Sequence, residues 1–237
     1  MRVLNLPITP ALSGQTVKHL LRQELGLSSS LLKSLKWREN AILLNGSPVT
    51  VRAVAHEGDV LTADVSDPPA ESPVVPVDYP LDVLWEDEDL LILNKPAGLT
   101  VHSAALTEET VTVAGAVARY LGCDTFHPVN RLDRGVTGVM VVAKNGYMHQ
   151  RCMAILHTDD FRREYRGICD GIPLHMAAIG CPLTGDWLYG AEDKALIARP
   201  ALHSYELWLR HPLTKESLHI AAPIPEDMLS LIKEEKL

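Results

Sequence analysis

A proline-rich segment at residues 66–80 limits what this chain can fold into. Five of its fifteen residues are prolines, and several others are acidic. Proline lacks the backbone N–H that a helix interior or a central strand requires, so this segment can form neither. We therefore predict a semi-rigid linker at residues 67–80. It separates an N-terminal domain at residues 1–66 from a second domain at residues 81–237.

The composition is that of an ordinary soluble globular protein. Hydrophobic residues make up 46% of the 237 residues and charged residues 22%, enough for a sizeable core. The net charge of −8 argues against a protein that holds nucleic acid through bulk charge, although a local basic patch is compatible with it. The sequence shows neither a signal peptide nor an apolar run of membrane-spanning length. We expect a cytoplasmic monomer with no membrane partner.

The four cysteines predict reduced thiols. They are widely spaced, without a CxxC pair or a cluster of histidines around them, which argues against both a disulfide framework and a zinc site. A P-loop, a GxGxxG motif and a GxSxG motif are also absent from the sequence. We therefore expect neither a metal nor a cofactor. The cysteines are Cys123, Cys152, Cys169 and Cys181.

The N-terminal domain shows the pattern helix, helix, hairpin. Apolar residues at helical spacing predict one helix within residues 13–26 and a second, shorter helix after Ser28. A strand then ends in an Asn-Gly turn at Asn45, which predicts a hairpin with the following residues. A further strand at residues 60–65 completes a small α/β domain.

This small domain is more basic than the chain as a whole. Residues 1–66 hold seven Lys and Arg against five Asp and Glu. Basic helix faces of this kind can follow a phosphate backbone. On these residues alone, ordinary solvated helix faces explain the pattern equally well. The candidate RNA-binding side chains are Lys18, Arg22, Lys33, Lys36 and Arg38.

The second domain is dominated by short strands. Strands outnumber helices and are joined mostly by short turns, which predicts an α+β fold with a mixed, mainly antiparallel central sheet and flanking helices. The helices are expected at residues 110–121, 147–156 and at the C-terminus. The strands are expected at residues 83–85, 90–94, 138–143, 161–169, near 202–209 and near 219–224.

Charged residues precede the most apolar of these strands. Arg131, Asp133 and Arg134 stand immediately before a turn that contains Gly135 and leads into the valine-rich run at residues 138–143. Charges at the entrance to a buried strand are costly unless they are paired or used in chemistry. On spacing alone, a structural ion pair explains them better than a catalytic carboxylate does.

Five stretches together resemble the RluA-type pseudouridine synthases. They occur in that family's order, and the Arg-Leu-Asp block at residues 131–133 is the most specific of them. The helix-helix-hairpin domain in turn resembles the alpha-L RNA-binding module of the ribosomal protein S-four type. The five stretches are NKPAGLTVH at 94–102, RLDRGVTGVMVVAKN at 131–145, REYRGICDG at 163–171, HMAAIGCPLTGDWLYG at 175–190, and ALHSYELWLRHP followed by APIP at 201–225.

The resemblance implies an RNA-modifying isomerase that needs no metal or cofactor. A uridine in structured ribosomal or transfer RNA would be detached from its ribose carbon, turned, and rejoined through a carbon atom. Asp133 matches the catalytic carboxylate, acting as nucleophile or as base on the ribose. Arg131 and Arg134 would contact the RNA, with Arg131 helping to hold the flipped-out nucleotide. Both neighbouring cations would help to keep Asp133 charged. Tyr165 matches the family's tyrosine, a second catalytic candidate that would lie against the uracil and take the carbon-bound proton, although a core strand tyrosine is the alternative.

Two features depart from the family pattern. Asn130, Gly135, Val136 and Thr137 replace more polar residues around the site. In addition, the family carries a long further segment where residues 171–175 stand here, and that segment includes an arginine that pairs with the catalytic aspartate. We favour the interpretation that the sequence shown lacks a segment which the natural chain contains. The alternative is a catalytically inactive relative that still binds RNA.

Overall fold

The computed structural model describes residues 2–102, 111–168, 184–185 and 197–234. The chain divides into two compact units, one of residues 1–71 with 145–151 and one of residues 72–144 with 152–237. Cys169, Cys181, the predicted junction at 171–175 and most of the stretch at 175–190 lie outside the described residues.

The first unit is a four-stranded antiparallel sheet with two short helices. The strand order in the sheet is β1-β4-β2-β3, and every pairing is antiparallel. Its elements are β1 (Val3–Pro7), α1 (Val17–Gln23), α2 (Ser29–Leu35), β2 (Ile42–Leu44), β3 (Ser47–Pro48) and β4 (Val60–Asp64).

Local sequence signals fix the ends of these elements. The Thr16 side chain caps α1 by accepting the His19 N–H, and the Ser28 side chain caps α2 in the same way. Asn45 and Gly46 both have positive φ, at 52° and 77°, which is the conformation that a two-residue hairpin between β2 and β3 requires. The predicted order of two helices and a hairpin is present in the structure.

The second unit is built on a seven-stranded mixed sheet. The order β11-β10-β8-β6-β5 forms its main path, with β7 paired to β8 and β9 paired to β10. The β8–β10 pair is parallel and the other pairs are antiparallel. Its strands are β5 (Val83–Glu86), β6 (Leu90–Lys95), β7 (His127–Pro128), β8 (Thr137–Ala143), β9 (Phe161–Gly167), β10 (Leu202–Arg210) and β11 (Ser217–Ala221).

Three further helices complete the described part of the chain. They are α3 (Val113–Leu121), α4 (Gly146–Met153) and α5 (Glu226–Glu234). Helix α3 begins after Thr112, whose side chain accepts the Gly115 N–H, and it ends at Gly122, which has a left-handed conformation. The predicted α+β class with a mainly antiparallel sheet is confirmed.

Strand β8 lies at the centre of the second sheet. All seven of its residues are buried, as the valine-rich run predicts. It pairs with β6 from Leu90 opposite Ala143 to Lys95 opposite Gly138. One face of this pair packs into an apolar cluster that also contains Leu132 and Val136. The turn before β8 is therefore anchored on the core at two points.

Candidate active site

Asp133 lies on the turn between β7 and β8 with its side chain exposed. The residues that hold this turn are its apolar neighbours, since Leu132 and Val136 are each 6% exposed and belong to the core cluster. The Val136 N–H donates to the Asp133 carbonyl oxygen at 3.1 Å and closes the turn. The sequence thus presents a carboxylate to solvent on a loop whose two ends are fixed by hydrophobic burial.

Lys95 is a buried cation beneath the same turn. It is 2% exposed, and its Nζ donates to the carbonyl oxygens of Pro96 at 2.8 Å, Leu99 at 2.8 Å and Arg134 at 3.3 Å. These three bonds use all the protons of an ammonium group. Burial lowers the pKa of Lys95 to about 8, while the nearby Asp133 charge acts in the opposite direction. Lys95 therefore ties the turn at 96–99 to the Asp133 turn and places a positive charge close to the carboxylate.

Arg134 and Arg131 are directed to other partners than Asp133. The Arg134 Nε donates to the Gly98 carbonyl oxygen at 3.1 Å, and the Gly98 N–H donates to the Arg134 carbonyl oxygen at 2.8 Å. Arg131 is exposed. Burial of His102 is the main cause that lowers the pKa of that histidine, and the charge of Arg131 is the second cause. Arg134 thus stabilises the neighbouring turn, and Arg131 remains at the surface.

The structural ion pair that spacing alone favours is not found in the described part of the chain. Among those residues, the Asp133 carboxylate makes no salt bridge with a lysine or arginine. A carboxylate kept for stability would be expected to pair with a cation. An exposed and unpaired carboxylate on a fixed turn is instead available to a ligand.

Arg199 is a second buried cation at this turn, and the sequence reasoning missed it. It is 7% exposed, and its Nη1 donates to the carbonyl oxygens of Gly135 at 3.3 Å, Pro200 at 3.0 Å and Leu202 at 3.4 Å. Its Nε and Nη2 form a two-point contact with the Asp227 carboxylate at 2.7 and 2.8 Å. Burial opposes ionisation of Asp227, but the hydrogen bond and charge of Arg199 outweigh it and lower the pKa of Asp227.

A buried histidine continues this network into the sheet. His203 is fully buried, with its Nδ1 2.8 Å from the Thr137 hydroxyl and its Nε2 3.3 Å from the Ala222 carbonyl oxygen. Because a carbonyl only accepts, Nε2 carries the proton and Nδ1 accepts from Thr137. Burial is the main cause that lowers the pKa of His203. The neutral His203 ring, which belongs to β10, therefore links that strand to Thr137, the first residue of β8.

Strand register places Tyr165 on the face of the sheet that carries Lys95. Lys95 pairs with Gly138, Gly138 with Ser204, and Ser204 with Tyr165, across four neighbouring strands. Residues in register on adjacent strands project from the same face, and Lys95 follows Leu93 of the core cluster at two-residue spacing. Tyr165 lies about 10 Å across the sheet from Gly138 at the usual strand spacing. Its side chain is 40% exposed, so it does not behave as a core tyrosine.

The predicted RNA-binding residues of the first unit fall into two groups. Arg22 donates to the Leu27 carbonyl oxygen at 2.5 Å, and Arg38 donates to the Asp64 carboxylate at 2.9 Å. These two arginines therefore help to hold the unit together. The lysines of the predicted set are exposed on or next to the helices: Lys18, Lys33 and Lys36.

The described residues contain neither a candidate membrane-spanning helix nor a candidate metal-binding cluster. Within them, no helix combines the length and apolar character needed to cross a bilayer. The same residues contain no group of three or more His, Cys, Asp or Glu side chains arranged to hold a metal ion.

Residues 89–204 match the family model described as RNA pseudouridylate synthase. The chain is 28% identical to an uncharacterised RNA pseudouridine synthase, YjbO, of Bacillus subtilis (strain 168), over 90% of this chain and 96% of that protein. It is 29% identical to the ribosomal large subunit pseudouridine synthase D of Escherichia coli (strain K12), over 67% of this chain and 71% of that protein. The solved structure titled Human RNA Pseudouridylate Synthase Domain Containing 4 covers 65% of this chain and 93% of its own, with a TM-score of 0.49 and 17% identity.

The relatives carry residues that this chain lacks. The alignment with YjbO extends over 274 positions, whereas 90% of the 237 residues of this chain is about 213. About sixty positions are therefore occupied in the relative and empty here. The alignment with YhcT of the same organism shows a similar excess, with 299 positions against 98% of this chain.

Proposed function

Because this chain belongs to the RluA-type RNA pseudouridine synthases, we propose that it isomerises a uridine of structured ribosomal or transfer RNA with Asp133 as the catalytic carboxylate. The observation that carries this proposal is the exposed Asp133 side chain on a turn fixed by buried Leu132 and Val136. One relative is named for the large ribosomal subunit, which favours ribosomal RNA as the substrate class. We further propose a cytoplasmic monomer without a membrane partner.

The reaction requires an ionised carboxylate next to the ribose. The bond between the ribose carbon and the uracil nitrogen breaks, and a bond from the same ribose carbon to carbon five of uracil forms. The proton on carbon five is released, and the freed uracil nitrogen takes up a proton, so that substrate and product are isomers. Asp133 serves either as nucleophile on the ribose carbon or as base on the ribose, and both roles need the charged form. The buried Lys95 ammonium supplies a positive charge that interacts with the Asp133 charge.

The remaining site residues have roles in holding the nucleotide. The target base must leave its stack, which costs a few kcal/mol and is offset by side chains that fill the gap. Arg131 is exposed beside the Asp133 turn and is suited to that task. Tyr165 projects from the same sheet face as Lys95, and we assign it to the uracil ring. We assign Arg134 to the support of the turn, and we assign contact with the RNA backbone to the basic residues of the first unit, chiefly its exposed lysines.

Release of tritium from RNA labelled at carbon five of uridine tests this assignment. We expect Asp133→Asn to reduce release by about 10²–10⁴-fold or more, because the amide can act neither as nucleophile nor as base. RNA affinity should stay nearly unchanged. Asp78→Asn, the same change at an exposed aspartate of the linker, is the matched control and should keep full activity. Normal release by Asp133→Asn would show that another group performs the chemistry.

A second candidate function is RNA binding without catalysis. It is favoured by the absence of about sixty aligned positions and by the lack of a cation paired to Asp133 among the described residues. In that case the wild-type chain would bind RNA in a salt-dependent manner and yield no pseudouridine with any RNA. The tritium assay on the wild-type chain therefore separates the two candidates.

A further inference from the structure

The first unit exposes a large aromatic side chain at the end of α2. Trp37 is 85% exposed, the most exposed large hydrophobic side chain among the described residues. Its backbone is fixed, because the Trp37 N–H donates to the Ser34 carbonyl oxygen at 3.0 Å. A tryptophan in this position loses the hydrophobic stabilisation that burial would supply. The Trp37 ring is therefore accessible to a binding partner, which could bury it.

A cavity of about 360 Å³ lies beside this tryptophan within the same unit. Its walls are formed by the end of α2 with Trp37 and by the turn that follows β3. Apolar side chains make up much of both walls, including Leu35, Ile42 and Val49. A planar group stacked on Trp37 would thus also cover an apolar recess.

Lys36 and Arg38 line the cavity, and further cations are close to its lining residues in the chain. Lys33 and Lys36 are exposed one helical turn apart on α2, and Arg52 is exposed just after the cavity wall. The Lys18 N–H donates to the Val51 carbonyl oxygen at 2.9 Å, which brings the start of α1 against the opposite wall. The neighbouring Arg38 is paired with an aspartate and adds little net charge. Of the acidic residues in this part of the chain, Glu39 is the nearest to Trp37 in sequence, two positions after it.

We propose that Trp37 is a stacking platform for an unpaired base of the RNA substrate, with the adjoining phosphates held by Lys33 and Lys36. The proposal rests on the proposed function only in taking RNA as the ligand. Stacking on an aromatic ring is open to every base, because each base has a flat face, and it requires a nucleotide that is not paired. The first unit would therefore recognise a bulge or loop beside a helix, independently of the uridine that reacts.

RNA explains this surface better than a protein partner does. Exposed lysines next to an exposed aromatic ring match a polyanion with flat bases, which is the arrangement found in single-stranded nucleic acid sites. Protein interfaces, in contrast, are depleted in lysine. Self-association through Trp37 is the remaining alternative, and the experiment includes it.

The test uses two hairpin RNAs of identical stem, one with a single bulged 2-aminopurine and one fully paired, bound to the full chain. We expect Trp37→Ala to weaken binding of the bulged hairpin by about 5- to 100-fold. Binding of the paired hairpin should change little, and Trp37→Phe should restore most of the affinity. The 2-aminopurine fluorescence should be quenched by the wild-type chain and not by Trp37→Ala. Equal weakening for both hairpins would overturn the proposal.

The salt dependence of binding and a control variant at a second aromatic residue distinguish the contribution of stacking to RNA affinity from that of charge. Trp37→Ala should leave the slope of log affinity against log salt unchanged, whereas Lys36→Ala should reduce it by about one. Tyr120→Ala, at an aromatic residue exposed in the other unit, should leave binding of both hairpins unchanged. A shift from dimer to monomer caused by Trp37→Ala in sedimentation would overturn the proposal in favour of self-association.

The two proposals fail in distinguishable ways. If the wild-type chain releases no tritium but binds the bulged hairpin through Trp37, catalysis fails and the platform stands. If tritium is released normally and Trp37→Ala binds both hairpins as the wild type does, catalysis stands and the platform fails.

Discussion

At the scale of single residues, Lys95 is a buried ammonium that donates to three carbonyl oxygens and to none of the described carboxylates. Transfer of an ammonium group from water to a protein interior is costly, and the carbonyl oxygens compensate for only part of that cost. The part of this cost that the carbonyl oxygens do not compensate lowers the pKa of Lys95 to about 8. Lys95 therefore reduces stability while it fixes the Asp133 turn.

The sign of the resulting pH dependence follows from the two protonation states. The pKa of Lys95 is about 8 in the folded chain against 10.5 for a free lysine, so between these values the unfolded chain binds more protons. Stability should therefore rise with pH across that window, relative to a variant without the lysine. We expect wild type to gain about 2 kcal/mol over Lys95→Met between pH 8 and pH 10.

Urea unfolding of both proteins at a series of pH values measures this difference. Taking the difference between the two proteins cancels the contribution of the tyrosines and the other lysines. A stability gap that stays constant from pH 8 to pH 10 would contradict the lowered pKa. Lys95→Met should also lower the rate of tritium release, because the Asp133 turn loses its support.

At the scale of elements, Arg199 joins helix α5 to the turn that carries Asp133. One guanidinium binds the Gly135 carbonyl oxygen of that turn and the Asp227 carboxylate in the first turn of α5. The carboxylate also lies where the positive end of the helix dipole favours it. A change at α5 should therefore alter the position of the turn that carries Asp133.

Arg199→Lys tests this link, because lysine keeps the charge but cannot make both contacts. We expect a loss of about 1–3 kcal/mol in stability and a lower rate of tritium release with little change in RNA affinity. Arg162→Lys is the matched control, since Arg162 is exposed and lies over the Trp208 ring at 4.1 Å. If both variants lose activity equally, Arg199 does not act through the turn.

The local elements could be predicted from sequence, and the long-range contacts could not. The caps at Thr16 and Ser28 and the Asn45 hairpin depend on residues within a few positions, so their signals lie in the pattern itself. Arg199, by comparison, contacts residues 28 and 64 positions away. Its place in the site depends on the register of β10 against β8, which periodicity does not specify.

At Gly138, too, the local structure could be predicted from the sequence and the long-range contact could not. The sequence around Gly138 predicts a turn followed by a buried strand, and this prediction is confirmed. Its φ of 108° and the approach of the Ser204 backbone, with an added Cβ only 2.1 Å from the Ser204 carbonyl oxygen, come from the pairing of two distant strands. The resemblance of its motif singles out Asp133 as the candidate carboxylate, since its spacing to the two arginines alone favours an ion pair.

At the scale of the whole molecule, the question is whether the natural chain contains the roughly sixty residues that its relatives have in addition. We expect the protein isolated from its own cells to exceed 26.0 kDa by several kDa. The physical reason is that loss of central strands would expose sheet edges and core. Intact-mass spectrometry measures this directly. A mass of 26.0 kDa would establish a real deletion and favour RNA binding without catalysis.

The parallel contact between β8 and β10 also sets an order of assembly. Thr137 and His203 are 66 residues apart, so they meet only after a long stretch of chain has been made. At 5–20 residues per second, a ribosome needs about 3–13 s to make these 66 residues, and the additional segment that we expect in the natural chain would lengthen this time. Lys95 and the apolar residues that anchor the Asp133 turn precede β10 in the chain, whereas Arg199 and His203 are made later. The Arg199 and His203 contacts can therefore form only after this part of the chain has been synthesised.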